Sequence, residues 1–126
     1  MSRDRQRVES DVRLDRPSAG IAVIQLVGEH DLATKGQVAD TLDSALASGD
    51  SVAVDLTTAD FIDSSTLHVL VSASRRATES GRGFSIVLGD NQTIRQVFEL
   101  TGLLTQLESA SSVADAIDAF ENNSSA

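Results

Sequence analysis

Val52-Ala53-Val54-Asp55-Leu56, followed shortly by Phe61-Ile62-Asp63-Ser64-Ser65-Thr66-Leu67, is an apolar run that ends at a hydroxyl-rich corner. It reads as a buried strand, a tight connection, and a helix whose first turn offers hydroxyls beside a carboxylate. Beyond the corner, Leu67, Leu70, Val71, Ser74 and Ala77 recur at the spacing of a helix face packed on a sheet. Ser64 therefore stands where the strand ends and the helix begins. Ligands and modifications in open α/β sheets gather at such ends, because helix-start N–H groups lack intrahelical partners and the dipole favours negative charge. Asp, Ser and Thr are also the preferred helix N-caps, so the same residues have a purely structural reading.

Working outward, the same grammar repeats. The first sixteen residues, with Val8, Val12 and Leu14 as their apolar members, suit an edge strand after a frayed start, and Pro17 to Gly20 make a turn. Ile21 to Val27 is nearly continuous in apolar character and predicts a strand buried on both faces. An acidic loop, Gly28-Glu29-His30-Asp31, leads to a helix over 34–47 carrying Val38, Leu42, Ala45 and Leu46. Further on come a helix over 64–80 stopped by Gly81, a strand over 84–88, and a helix over 91–101 with Ile94, Val97 and Phe98 on one face, stopped by Gly102. A short strand is expected at 103–107, then a last helix capped by Ser111 or Ser112, with Val113, Ala116, Ile117 and Phe120 inward. Phe61 and Phe98 are expected in the core, and residues 1–7 and 121–126 are expected to be flexible ends of a single domain over 8–120.

Strands alternating with helices predict an α/β domain: a mixed sheet of four to five strands, with about four helices mostly on one face. Right-handed crossovers then bring the Gly28 to Asp31 loop and the Asp63-Ser64 corner to the same edge. Glu29, Asp31 and Asp63 are expected around the Ser64 hydroxyl.

Composition narrows the function. The chain has 126 residues, no cysteine, no tryptophan or tyrosine and four phenylalanines, so thiolate chemistry is absent and the core is aliphatic. Residues 1–16 carry five Arg against four acidic groups, whereas 17–126 carry five basic against fifteen acidic groups. So acidic a domain repels phosphate backbones and anionic lipid, which argues against nucleic acid and membrane and for a protein partner with a basic face. No apolar run is long enough to span a bilayer and no signal segment opens the chain, so a cytoplasmic protein is expected.

Four motifs in order give the chain a family likeness. They are Gly28-Glu29-His30-Asp31, where the family has Gly-Glu-Leu-Asp; Val54-Asp55-Leu56; Phe61-Ile62-Asp63-Ser64-Ser65 followed by Leu67; and Ile94 to Leu103, similar to a Val-Xaa-Xaa-Xaa-Phe-Xaa-Xaa-Xaa-Gly-Leu segment. Over roughly residues 8 to 120 the sequence resembles the STAS domains, the sulfate-transporter and anti-sigma-factor-antagonist family. The resemblance implies a bacterial anti-sigma-factor antagonist that binds an anti-sigma factor with serine kinase activity, is released when that kinase phosphorylates Ser64, and is restored by a serine phosphatase. It implies Asp31 as the acidic neighbour; Asp63, Ser65, Thr66 and His68 around Ser64 are expected as further partner-binding residues, with Thr66 and His68 as specificity elements. No cofactor and no metal are expected. Where the family has glycines, Thr66 and His68 add bulk to what reads as an exposed helix face. The alternative within the family is an unmodified adaptor in a signalling or lipid-transport complex.

Readings from other classes fare worse. Ser64, Asp63 and His68 have the residue types of a hydrolase triad, but no Gly-Xaa-Ser-Xaa-Gly elbow is present. His30, read as a loop residue, and His68 match no metal-ligand spacing, and no Walker-type loop marks a nucleotide site. Arg75-Arg76 reads as a solvated helix face.

Overall fold

Each apolar run is bounded by a turn signal, and the elements follow that punctuation. The computed structural model describes residues 10–124, so the flexible start expected over 1–7 and the last two residues of the chain lie outside the described residues. In order come β1 (Asp11–Ser18), β2 (Ile21–His30), α1 (Leu32–Ala47), β3 (Ser51–Asp55), β4 (Ala59–Ile62), α2 (Ser64–Glu79), β5 (Phe84–Val87), α3 (Gln92–Thr101), β6 (Ser109–Ala110) and α4 (Val113–Ser124).

The strands form one six-stranded sheet in the order β1-β2-β3-β5-β6, with β4 pairing the far end of β2. Only β1 runs antiparallel to its neighbour; the β2–β3, β2–β4, β3–β5 and β5–β6 pairs are parallel. Parallel neighbours need crossover connections, and α1, α2 and the α3 segment supply them.

Side-chain alternation along the strands splits the core in two. Ala22, Ile24, Leu26, Val52, Val54 and Ile86 meet Val38, Leu42, Leu70, Ile94 and Phe98 from α1, α2 and α3. Ile21, Val23, Ala53 and Val87, on the opposite face, meet Ala116 and Phe120 of α4. The first cluster holds 21 buried residues and the second six. With a large buried aliphatic side chain contributing about 1.5–3 kcal/mol, the three-helix face carries most of the hydrophobic stabilisation.

Several expectations need correction. The sheet has six strands rather than four to five, because Ala59–Ile62 pairs as a strand of its own and Ser109–Ala110 adds another. The stretch expected as a strand at 103–107 is instead a 3-10 turn over Leu103–Thr105, seeded by Gly102 at φ 76°. Gly28-Glu29-His30 is the end of β2 rather than a loop, and α1 starts at Leu32. Phe61 is not core: it stays 48 % exposed, while Phe98 is fully buried. The polar stretch expected to begin a flexible tail at Glu121 continues α4 as far as Ser124. In α2 the innermost residues are Thr66, Leu67, Leu70, Ala73 and Ala77, so the buried stripe passes through Ala73 and not Ser74. Ser112 is the residue that caps α4, its Oγ accepting from the Asp115 N–H at 3.1 Å.

Candidate functional site

Parallel pairing of β2 with β4 sets the geometry of the corner. His30 stands opposite Ile62, and the Asp63 N–H donates to the His30 carbonyl at 3.0 Å. One residue further along each strand an aspartate begins a helix. Asp31 caps α1, accepting from the Ala33 N–H at 2.9 Å, and Asp63 caps α2, accepting from the Thr66 N–H at 3.0 Å. The sequence-predicted convergence of the Gly28–Asp31 segment with the Asp63-Ser64 corner is therefore present.

Gly28 makes this possible. Its φ of 83° is a left-handed conformation that disfavours other residues, and the β2–β4 register shifts between Gly28 and Glu29. Beyond it Glu29 is exposed, while His30 stays on the inward side shared with Ile24 and Leu26.

Ser64 is the first residue of α2 and is exposed; among the described residues nothing hydrogen-bonds its hydroxyl. Ser65 is half-buried and donates from Oγ to Asp63 Oδ1 at 2.7 Å. Two donors on one carboxylate have an electrostatic effect: the Thr66 N–H first and the Ser65 hydroxyl second hold Asp63 below its ordinary titration range. Both bonds to Asp63 use Oδ1, and Asp31 likewise holds its helix start through Oδ1. His68 is exposed one turn further along α2.

Thr66 departs from expectation. It was to add bulk to an exposed face, yet its side chain is fully buried and Oγ1 has no hydrogen-bond partner of normal geometry among the described residues. It shares a stripe with Leu70, Ala73 and Ala77, spaced four, seven and eleven residues on, so it belongs to the core-facing side of α2. A direct contact between Thr66 and a partner is incompatible with that burial.

His30 is also buried rather than a loop residue, with both ring nitrogens engaged. Two apolar side chains remain in water at this edge: Leu32 at the start of α1, 73 % exposed, and Phe61 of β4. In the sequence Phe61 reads as core material, and Leu32 carries no signal that sets it apart. The arginine pair on α2 lies on a solvated face, as expected, and Arg76 forms a surface ion pair with Asp43 of α1 at 2.7 Å. Among the described residues, no group of three or more His, Asp or Glu side chains comes together to hold a metal, and no helix is long and apolar enough to cross a membrane.

The family model described as "Mlab, STAS domain" matches residues 12–109, which spans β1 to β6. The chain belongs to the STAS domain family. This STAS domain has solved structural neighbours that are anti-sigma-factor antagonists. One is the antagonist from Mycobacterium paratuberculosis, 22 % identical with a TM-score of 0.79, covering 90 % of this chain and 95 % of that one. A second is the Bacillus cell fate determinant SpoIIAA in its phosphorylated form, 24 % identical with a TM-score of 0.65, covering 86 % and 98 %. A third is an anti-sigma-factor antagonist domain protein from Planctomyces limnophilus, 22 % identical with a TM-score of 0.70, covering 87 % and 97 %. At these identities the likeness is one of fold. Comparison with curated protein sequences gave no match.

Proposed function

We propose that this STAS domain is an anti-sigma-factor antagonist that docks on an anti-sigma factor with serine kinase activity through the edge around Ser64, and is released when that kinase phosphorylates Ser64. A serine phosphatase resets it. The observation that carries the reading is the exposed, unengaged Ser64 hydroxyl at the first position of α2, beside two helix-capping aspartates. Likeness of fold to antagonists, one of them in a phosphorylated form, supports it. Asp31, Asp63, Ser65 and His68 border the docking edge, and Thr66 is buried beneath it.

Charge suffices as the switch. A phosphoserine adds about −1.5 to −2 charges at neutral pH. One unit pair at roughly 6 Å in an effective dielectric near 20 contributes about 3 kcal/mol before salt screening, or about a hundredfold in affinity. The net charge of −9 points to a partner with a basic docking face, and a new dianion next to Asp63 repels any acidic group placed there to receive a neutral hydroxyl.

Incubation with the cognate kinase and ATP, followed by mass spectrometry of the modified peptide, tests the assignment. Modification confined to Ser64 is expected, and modification confined to another residue overturns it. The second reading within the family is an unmodified adaptor in a signalling or lipid-transport complex. Ser64→Asp and Ser64→Ala separate the two. The switch requires Asp to weaken partner binding by about a hundredfold and Ala by far less, whereas an adaptor gives similar, modest losses for both.

A further inference from the structure

We propose that His30 is a positioning residue whose proton, held at Nδ1, sets the hydrogen-bond arrangement at the start of α1 and so couples the acidic half of the Ser64 edge to pH. Its functional meaning rests on the reading of Ser64 given above; the coupling itself rests on the local geometry.

The ring is fully buried and bonded at both ends: Nε2 lies 2.9 Å from the Val27 carbonyl and Nδ1 lies 3.0 Å from Thr34 Oγ1. A carbonyl only accepts, so Nε2 carries a hydrogen. Neutral His30 must then accept at Nδ1, and the Thr34 hydroxyl donates to it. Thr34 has a single hydroxyl hydrogen, and a second acceptor competes for it: the Asp31 carbonyl, 3.4 Å from Oγ1. When Nδ1 gains a proton, it becomes the donor to Thr34 Oγ1, and the hydroxyl hydrogen passes to the Asp31 carbonyl. Each protonation state is fully satisfied, so proton uptake redirects a hydrogen bond instead of breaking one. The redirected bond belongs to the residue that caps α1, whose side chain holds the Ala33 N–H.

Charged residues lie next to His30 in the chain and across its strand pairs. Asp11 of β1 feels the imidazole as well as Arg13, which is the main cause of its own depressed titration. Asp31 and Glu29 flank His30 in the chain, and Asp63 approaches through its N–H on the His30 carbonyl. Three of these carboxylates belong to the Ser64 edge, and the positive end of the α1 dipole opposes them. Histidine is the side chain whose charge ordinarily changes between about pH 5 and 8, a window in which exposed carboxylates stay ionised.

The test is an NMR titration of the full chain from about pH 5 to 8, following the His30 ring protons and the amides of Leu32, Ala33 and Thr34. His68, the second of the two histidines, is exposed and is silenced separately by His68→Gln. The expected result is one shared midpoint for the His30 ring and the three amides in the wild type and in His68→Gln. That step is lost in His30→Leu, which keeps apolar bulk, and in His30→Gln, which keeps a donor but no titratable proton. A His30 ring that does not titrate in this range, or amides that move independently of it, overturns the proposal even if the His30 variants fail to fold. Persistence of the step in either His30 variant overturns it too. Kinase labelling run at each pH reads the Ser64 assignment separately: absence of phosphoserine at every pH sinks that assignment while leaving the titration result intact.

Discussion

The Asp63 N–H donates to the His30 carbonyl at 3.0 Å, and this bond ties the starting points of α1 and α2 into one corner. Two helices that begin side by side, each capped by an aspartate, give the edge its rigidity. The Ser64 hydroxyl takes no part in either cap.

Removing the α2 cap tests how much that rigidity matters. Asp63→Ala loses the bonds to the Thr66 N–H and the Ser65 hydroxyl, and about 1 kcal/mol of stability is the expected cost in urea unfolding. Asn is also a good cap, so Asp63→Asn is expected to lose clearly less. Equal losses for the two would show that the carboxylate charge matters more than the cap.

The pH dependence has a definite sign. Asp63 titrates below its ordinary range in the folded state, chiefly because of the Thr66 N–H, so its contribution is present above the unfolded value and disappears as pH falls through the folded one. The stability gap between the wild type and Asp63→Asn should therefore shrink on acidification from about pH 6 to below the ordinary aspartate value near 3.9. Urea midpoints measured across that range check it; a gap that widens on acidification contradicts the capping account.

Thr66 predicts a gain. Its buried Oγ1 lacks a partner of normal geometry, and an unmet buried hydroxyl costs about 1–3 kcal/mol. Thr66→Val keeps the shape and removes the hydroxyl, so the thermal midpoint should rise. Thr66→Gly should lower it, since the variant empties part of the core and adds helix-interior glycine at about 1 kcal/mol. A lower midpoint for Thr66→Val would mean that the hydroxyl has a partner in solution.

Gly83 predicts a loss on the opposite side of the sheet. A Cβ at this position would lie 2.5 Å from Phe120 Cδ1, well inside contact distance. Gly83→Ala must displace the ring of α4, at an expected cost of about 1–3 kcal/mol in urea unfolding. An unchanged midpoint would show that α4 shifts freely.

Legibility in the sequence followed length and pattern. β2, β3 and β5 were readable because aliphatic runs buried on both faces leave little alternative, and α1 and α3 because Val38, Leu42, Ile94 and Phe98 keep helical spacing. β4 was not: only Ala59 and Ile62 of its four residues are buried, and its pairing with β2 is long-range. Leu103 to Leu107 misled because its apolar residues suit a strand, while the left-handed Gly102 sends the chain into a tight turn instead. At the site, Ser64 and the two caps were visible as motif residues. Thr66 was misplaced, although its spacing to Leu70, Ala73 and Ala77 carried the signal. His30 was missed because the strand was expected to end at Val27, whereas it continues the inward alternation of Ala22, Ile24 and Leu26.

β2 bonds to three different strands, β1, β3 and β4, and so no part of the sheet's left half can detach without exposing its amides. Slow deuterium uptake should concentrate in its central residues, Val23 and Ile24, and mark them as opening only when the whole molecule does. The corner that carries Ser64 hangs from the far tip of that same strand, which makes the most persistent element of the fold the anchor of its most chemically exposed one.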